Sequence, residues 1–173
     1  MILLVFSDNH GDGLVLDRLL SRHPDADRKI SLGDSEMTEK ALSDREVFGV
    51  RGNYPLEPDF PLEMVFEYEG CRTLLTHGHH YFVKSGTQYL AERARELECP
   101  LVLFGHTHQW VIRDEGDVLL VNPGSCAHPK AGGRKTYALL VMTPGRIRVE
   151  IRDAESGVPM ETFVKKVSTE SGR

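Results

Sequence analysis

The chain has 173 residues, of which 40% are hydrophobic and 27% charged, and its formal net charge is -5. That size suits one domain with a core of its own, and the composition excludes a disordered or fibrous chain. Net acidity without a cluster of Lys and Arg argues against nucleic acid as the main partner, while leaving room for a small phosphate-bearing ligand.

The opening run Ile2-Leu3-Leu4-Val5-Phe6 is apolar without interruption, the pattern of a strand covered on both faces. A polar loop from Asp8 to Gly13 follows, and then a helical pattern in which Val15, Leu16, Leu19 and Leu20 share a face. Asp12 is its expected N-cap and Pro24 its stop. Lys29 to Leu32 reads as a second strand, Glu36 to Ser43 as a weak helix, and Val47 to Val50 as a third strand that opens into Arg51-Gly52-Asn53-Tyr54. The proline-rich stretch 56–61 is a surface loop. Leu62 to Tyr68 and Arg72 to Thr76 flank Glu69-Gly70 as a hairpin, and a helix is expected over about Gly86 to Glu98. Leu101 to Phe104 is another buried strand. Thereafter the pattern changes to hairpins: Gln109 to Arg113 with Val118 to Val121, then Thr136 to Met142 with Arg146 to Arg152, then a last strand near Val158 to Val164. Strand–helix units followed by antiparallel hairpins predict a mixed α/β fold with two stacked sheets and helices outside. Residues 1–167 are expected to form the single domain and 168–173 a disordered tail.

Three cysteines without short spacing, Cys71, Cys99 and Cys126, read as free thiols in a reducing compartment. The apolar run at the N-terminus is too short for a signal peptide, and no segment reaches the roughly 18 apolar residues of a membrane helix. A cytoplasmic protein is the expectation.

Chemistry gathers where the strands end. In open α/β sheets ligands sit beyond the carboxyl ends of the strands, and the polar residues there are Asp8, His10, Asp34, Asn53, His77, His79, His106 and His108. Positions i and i+2 of an extended segment share a face, so each His-x-His pair can aim two imidazoles at one point. Singly, Asp8 could only cap a helix and Asn53 only serve a turn; His23, His80 and His128 read as ordinary surface or core residues. As a set, carboxylates, an amide and imidazoles without thiolate suit first-row transition metals. Eight donors exceed what one ion takes, and two metals sharing a carboxylate would use them.

The ordered motifs Asp8-x-His10, Gly33-Asp34, Gly52-Asn53, His77-Gly78-His79 and Gly105-His106-x-His108 resemble the signature of the calcineurin-like metallophosphoesterases. The small bacterial and archaeal phosphodiesterase branch is most similar, also through Asn122-Pro123-Gly124-Ser125, and the likeness runs from Met1 to about Ile151. This resemblance implies a four-layer αββα sandwich, two central mixed sheets flanked by helices. It implies a first metal held by Asp8, His10, Asp34 and His108, and a second held by Asp34, Asn53, His77 and His106, with Asp34 and a hydroxide bridging them. The cofactors would be two divalent transition metal ions, manganese foremost, with nickel, iron or zinc as alternatives. The implied reaction is hydrolysis of small phosphodiesters by the bridging hydroxide.

One position departs from the family pattern: Tyr54 stands where many members carry a histidine after the asparagine. A phenol with a pKa near 10 is a poor proton donor at neutral pH. Diesters with good leaving groups are then favoured, and His79 becomes the substitute catalytic group beside Asp34 and Asn53. Arg51 and Tyr54 are candidate substrate contacts; Lys84, Lys130 and Arg134 are further cations near the expected rim. Tyr81 and Phe82 could line a pocket, with core packing their expected use. The alternative reading is a protein-binding scaffold of the same fold, as in the retromer subunit that resembles this family. Such scaffolds tend to lose ligands, and this chain retains the full set. A homodimer through the antiparallel edge strands is a further possibility of the last third.

Overall fold

Strand β1 (Ile2–Phe6) sits at the middle of the molecule, which is why its sequence is apolar at every position. Leu3 and Val5 face a second sheet, while Leu4 and Phe6 face helices on the opposite side. The computed structural model describes residues 1–57 and 59–167, so the tail expected at 168–173 lies outside the described residues.

Around β1 the first sheet has six strands. β2 (Arg28–Ser31) and β3 (Val47–Gly49) run parallel to it, and α1 (Gly13–Arg22) and α2 (Glu39–Ser43) connect them. The second sheet has five strands: β4 (Glu63–Tyr68), β5 (Cys71–Thr76), β6 (Leu101–Phe104), β7 (Trp110–Asp114) and β8 (Leu119–Pro123), in the spatial order β4-β5-β6-β8-β7. α3 (Gln88–Glu96) links β5 to β6. The final strands β9 (Thr136–Thr143), β10 (Arg146–Asp153) and β11 (Pro159–Lys166) form a meander that completes the first sheet, in the order β11-β10-β9-β1-β2-β3.

Three apolar clusters define four layers. Val15, Leu16, Leu19 and Leu42 of the two leading helices cover Leu4 and Phe6. Leu3, Val5, Leu75, Leu101, Leu103, Leu140, Val149 and Ile151 fill the space between the sheets. Leu90, Ala91 and Ala94 of α3 cover Leu74, Val102, Phe104 and Leu120. Each fully buried aliphatic side chain contributes roughly 1.5–3 kcal/mol, so the inter-sheet layer is the main source of cohesion. The architecture is the αββα sandwich anticipated from the sequence.

Local signals account for most element ends. The Asp12 side chain accepts from the Val15 N–H at 2.9 Å, the cap expected for α1. The weak helix begins at Glu39 rather than Glu36, because Thr38 turns its hydroxyl onto the Ala41 N–H. The late hairpins form as expected, but they divide between the sheets: β8 lies parallel to β6, whereas β9 lies antiparallel to β1. Alternation specifies which face a strand buries, and leaves its neighbour open. Among the described residues no helix is long and apolar enough to cross a membrane.

Candidate metal centre

The parallel strands β1, β2 and β3 of one sheet and β5 and β6 of the other all discharge their chains at the same end of the sandwich. The exits are sharp bends. Asp8, His10, Asp34, His106 and His108 all have positive φ, between 43° and 70°. That left-handed region is sparsely used by residues other than glycine and costs on the order of 1 kcal/mol each, so five such residues in one place must be held by their surroundings. Asp8 N–H donates to Gly33 O and His10 N–H to Asp34 O, both at 3.1 Å, which zips the first two exits together. Backbone packing is equally close: a Cβ on Gly52 would stand 2.1 Å from Asp34 Oδ1, and one on Gly105 2.1 Å from Ser7 Oγ. Glycine is what lets these loops approach the carboxylates.

Donor atoms converge in two triads. Those of Asp8, His10 and His108 lie within 4.8 Å of one another, as do those of Asp8, Asp34 and His77. Asp8 Oδ1 is common to both, at 3.1 Å from His108 Nε2, 3.9 Å from His10 Nε2 and 4.0 Å from His77 Nε2. Although the carboxylate is fully buried, Oδ1 has no hydrogen-bond partner. The other oxygen, Oδ2, accepts from Ser7 Oγ and from the His106 N–H. Asn53 Oδ1 lies 3.1 Å from His77 Nε2, and His106 Nδ1 3.2 Å from the same nitrogen, so both join the second group.

The imidazoles are oriented from behind. His77 Nδ1 donates to Leu32 O at 2.7 Å and His108 Nδ1 to His128 O at 2.6 Å, which commits Nδ1 of each ring and makes the inward Nε2 the nitrogen available to a cation once it is deprotonated. His10 Nδ1 is 2.7 Å from the Glu36 carboxylate. Asp34 is steered by the Tyr54 N–H, 2.9 Å from Oδ1. Asn122, buried behind the site, donates to Gly105 O and Thr107 Oγ1 and so fixes the loop that bears His106 and His108.

The charges are those of a site that favours cations. Burial works against an ionised Asp34, yet the hydrogen bond and charge of His77 and the Tyr54 N–H outweigh it and hold the carboxyl well below its usual range. Burial likewise opposes charge on His77, but Asp34 and Asp8 prevail and raise its pKa; His108 is raised by its contact with Asp8. Burial, then the charge of His77, pushes His106 down to about 4.

Every residue expected to bind metal therefore reaches this end of the molecule. His79 lies beside it, its ring 5.4 Å from that of His77, and belongs to neither triad. Burial first, then His77 and His80, drives it down to about 4, so it is neutral at pH 7. Arg51 is near enough to His79 to oppose its protonation. Tyr54 contributes its backbone. Tyr81 packs against the α3 cluster as expected, whereas Phe82 is 67% exposed, its ring turned towards Tyr89; the left-handed bend at Phe82 swings the side chain off the core.

Sequence reading missed the supports. Glu36 is far from any histidine in sequence, and His128 acts through its carbonyl, which no side-chain pattern reveals. Glu57 accepts from the Gly52 and Glu36 N–H groups and clamps two loops. The one available signal was Ser125 in the Asn-Pro-Gly-Ser motif: its hydroxyl donates to Asp8 O and accepts from the His128 N–H, so it holds the carbonyl that orients His108.

A sandwich of this topology with carboxylates and imidazoles at its shared end defines a class. The chain belongs to the calcineurin-like phosphoesterase superfamily, whose domain model matches residues 1–144. It is 30% identical over 172 residues to a probable metallophosphoesterase, YsnB, of Bacillus subtilis (strain 168), covering 97% of this chain and 99% of that one. It is 32% identical over 103 residues to the phosphodiesterase YfcE of Escherichia coli (strain K12), which covers 55% and 52% of the two chains. Among solved structures, a conserved protein of Streptococcus pneumoniae TIGR4 described as a predicted phosphoesterase superposes with a TM-score of 0.81 at 26% identity, covering 95% and 97%. A Vps29 variant of Entamoeba histolytica shares the fold, with a TM-score of 0.76 at 19% identity and coverage of 97% and 100%.

Proposed function

We propose that the chain is a phosphodiesterase that holds two divalent cations and hydrolyses small phosphodiesters. Membership of a metal-dependent phosphoesterase family supports the general reaction, and the likeness to YfcE supports diesters. The observation that carries the metal is Asp8 Oδ1: a buried, unpartnered carboxylate oxygen costs several kcal/mol unless a cation compensates it. The surrounding donors, carboxylate, amide and neutral imidazole, fit a first-row divalent ion, manganese first among them.

In this reading Asp8, His10, Asp34 and His108 hold one cation and Asp34, Asn53, His77 and His106 the other. Two such ions supply Lewis acidity: they acidify water and neutralise phosphoryl oxygens during in-line displacement. The chain's own residues do the rest. Leu32 O, His128 O and Glu36 fix which imidazole nitrogen faces inward. Asn53 offers a neutral oxygen, so the second position keeps more Lewis acidity than a further carboxylate would leave it. His79, neutral at pH 7, can pass on a proton only after taking one, which favours diesters whose leaving groups need no protonation.

The test is metal analysis with turnover of bis(4-nitrophenyl) phosphate. Purified protein supplied with manganese, nickel or zinc should retain close to two ions per chain and cleave the ester; neither retention nor cleavage sinks the proposal. His108→Ala should empty the first position and His106→Ala the second, and equal loss of both ions from each variant would count against the division of ligands. The shared fold with Vps29 keeps the scaffold reading as the second choice; a tight protein partner together with failure to retain metal would favour it.

A further inference from the structure

Beside the metal centre lies a cavity of about 700 Å³, large enough for a nucleotide-sized ligand. His106 and His108 are among its lining residues, so it adjoins the candidate metal centre. Its other charged lining residues are all cationic: Lys84, Arg113 and Lys130, with no Asp or Glu among the lining residues. This is unexpected in a chain of net charge -5. Most other arginines and several lysines of the molecule are tied to carboxylates, as in Arg45–Asp17, Arg93–Glu63 and Lys165–Asp114. Among the described residues, none of the three cavity cations forms such a pair.

They are also positioned. Arg113 donates from Nη1 to Thr87 Oγ1 at 3.0 Å, which anchors the guanidinium on the cavity wall while leaving its other donors uncommitted. Lys84 is close enough to His106 and His108 for its charge to oppose protonation of both rings. Lys130 lines the cavity and also borders the adjoining hollow, and Trp110 is part of the lining of both. A reacting phosphodiester needs one anion beside the metal ligands. Three further uncompensated cations call for a second.

We infer that the cavity lined by Lys84, Arg113 and Lys130 is a subsite for a second, terminal phosphate, so that the preferred substrates are nucleotide-sized phosphodiesters bearing an additional phosphate group. The inference rests on the proposed phosphodiesterase reading for its reaction, but the subsite itself is built of residues outside the metal triads. Arg113 supplies a planar fork for phosphate oxygens, the two lysines supply mobile charge, and Trp110 is part of the same lining.

The experiment is a binding titration in EDTA, followed by the fluorescence of Trp110, which is the only tryptophan of the chain. The ligands are a thymidine dinucleotide with a 5′-phosphate and the same dinucleotide without it. The phosphorylated form should bind roughly tenfold tighter, the size of one charge-assisted hydrogen bond, and the advantage should shrink as salt is raised. Combined Lys84→Ala, Arg113→Ala and Lys130→Ala substitutions should bring the two affinities together while the melting temperature stays near that of the parent. Equal affinities in the parent protein, or an advantage that persists in the triple variant, overturn the inference. Turnover of bis(4-nitrophenyl) phosphate by the manganese-loaded protein is scored separately. Its failure removes the reaction while a phosphate preference in EDTA keeps the subsite.

Discussion

The metal end and the β9–β11 meander are built by opposite rules. In the meander local preference and tertiary environment agree: Ile147, Val149 and Ile151 alternate inward along β10 with polar residues between them, and the register to β9 runs unbroken through eight pairs. At the strand exits they disagree. Five residues other than glycine take left-handed backbones, a carboxylate oxygen is buried without a partner, and two pairs of ring nitrogens face each other at 3.2–3.3 Å. The meander supplies cohesion that the exits use up. Local conflict that persists in a folded chain marks the place where chemistry, rather than stability, set the sequence.

The sharpest way to break this contrast is Asp8→Asn. Removing the charge should empty the first metal position and lower diester turnover by at least about 10³-fold, in line with loss of a charged ligand. Yet the metal-free variant should melt higher than the metal-free parent, because a buried carboxylate oxygen that no hydrogen bond satisfies has gone; calorimetry in EDTA decides, and a lower melting point would show that the carboxylate is structural. Ile151→Ala should do the reverse. It opens a void between the sheets at a cost of roughly 2–5 kcal/mol, which lowers the melting temperature by on the order of 5–20 °C and leaves the number of bound ions unchanged.

Smaller effects sharpen the picture. Glu36→Gln keeps the size of the group behind His10 but weakens its hold on the ring, and should reduce affinity for one ion by about 10-fold or somewhat more, read by competition with a chelator. The other ion should be unaffected. Smallest is a pH effect far from the metal end. His23 contacts the Tyr137 hydroxyl at 2.7 Å. Burial, then Arg152, holds its pKa below the ordinary value, with Asp25 and Glu150 opposing and Arg22 assisting. The unfolded chain therefore takes up this proton first as the pH falls. The stability tied to His23 is complete above the unfolded pKa of about 6.5 and declines below it towards the lower folded value. His23→Gln should flatten this part of the curve of melting temperature against pH.

The parts legible in the sequence and the parts hidden from it follow the same division. The ligands could be read because their chemistry lies in side chains placed at fixed steps after apolar runs: Asp8 and His10 after β1, His106 and His108 after β6. The strands could be read from alternation. What alternation lacks is partnership, so the placing of β8 beside β6 and β9 beside β1 was out of reach. Supports that act across the fold were hidden too. Glu36 meets His10 from 26 residues away, and His128 contributes a carbonyl that every residue possesses. The sharing of Asp8 by both triads depends on backbone bends that only the packed exits impose.

Each triad draws on both sheets: Asp8, His10 and Asp34 follow strands of the first, His77 and His108 strands of the second. Any ion held there is consequently a rivet through the seam of the sandwich, and ion supply becomes a thermodynamic handle on how tightly the two leaves stay closed. At a free concentration one hundred times the dissociation constant, each such rivet adds about 2.7 kcal/mol. Starving the protein of metal should thus loosen the seam at this end first, with amide exchange quickening at the strand exits while the meander remains protected.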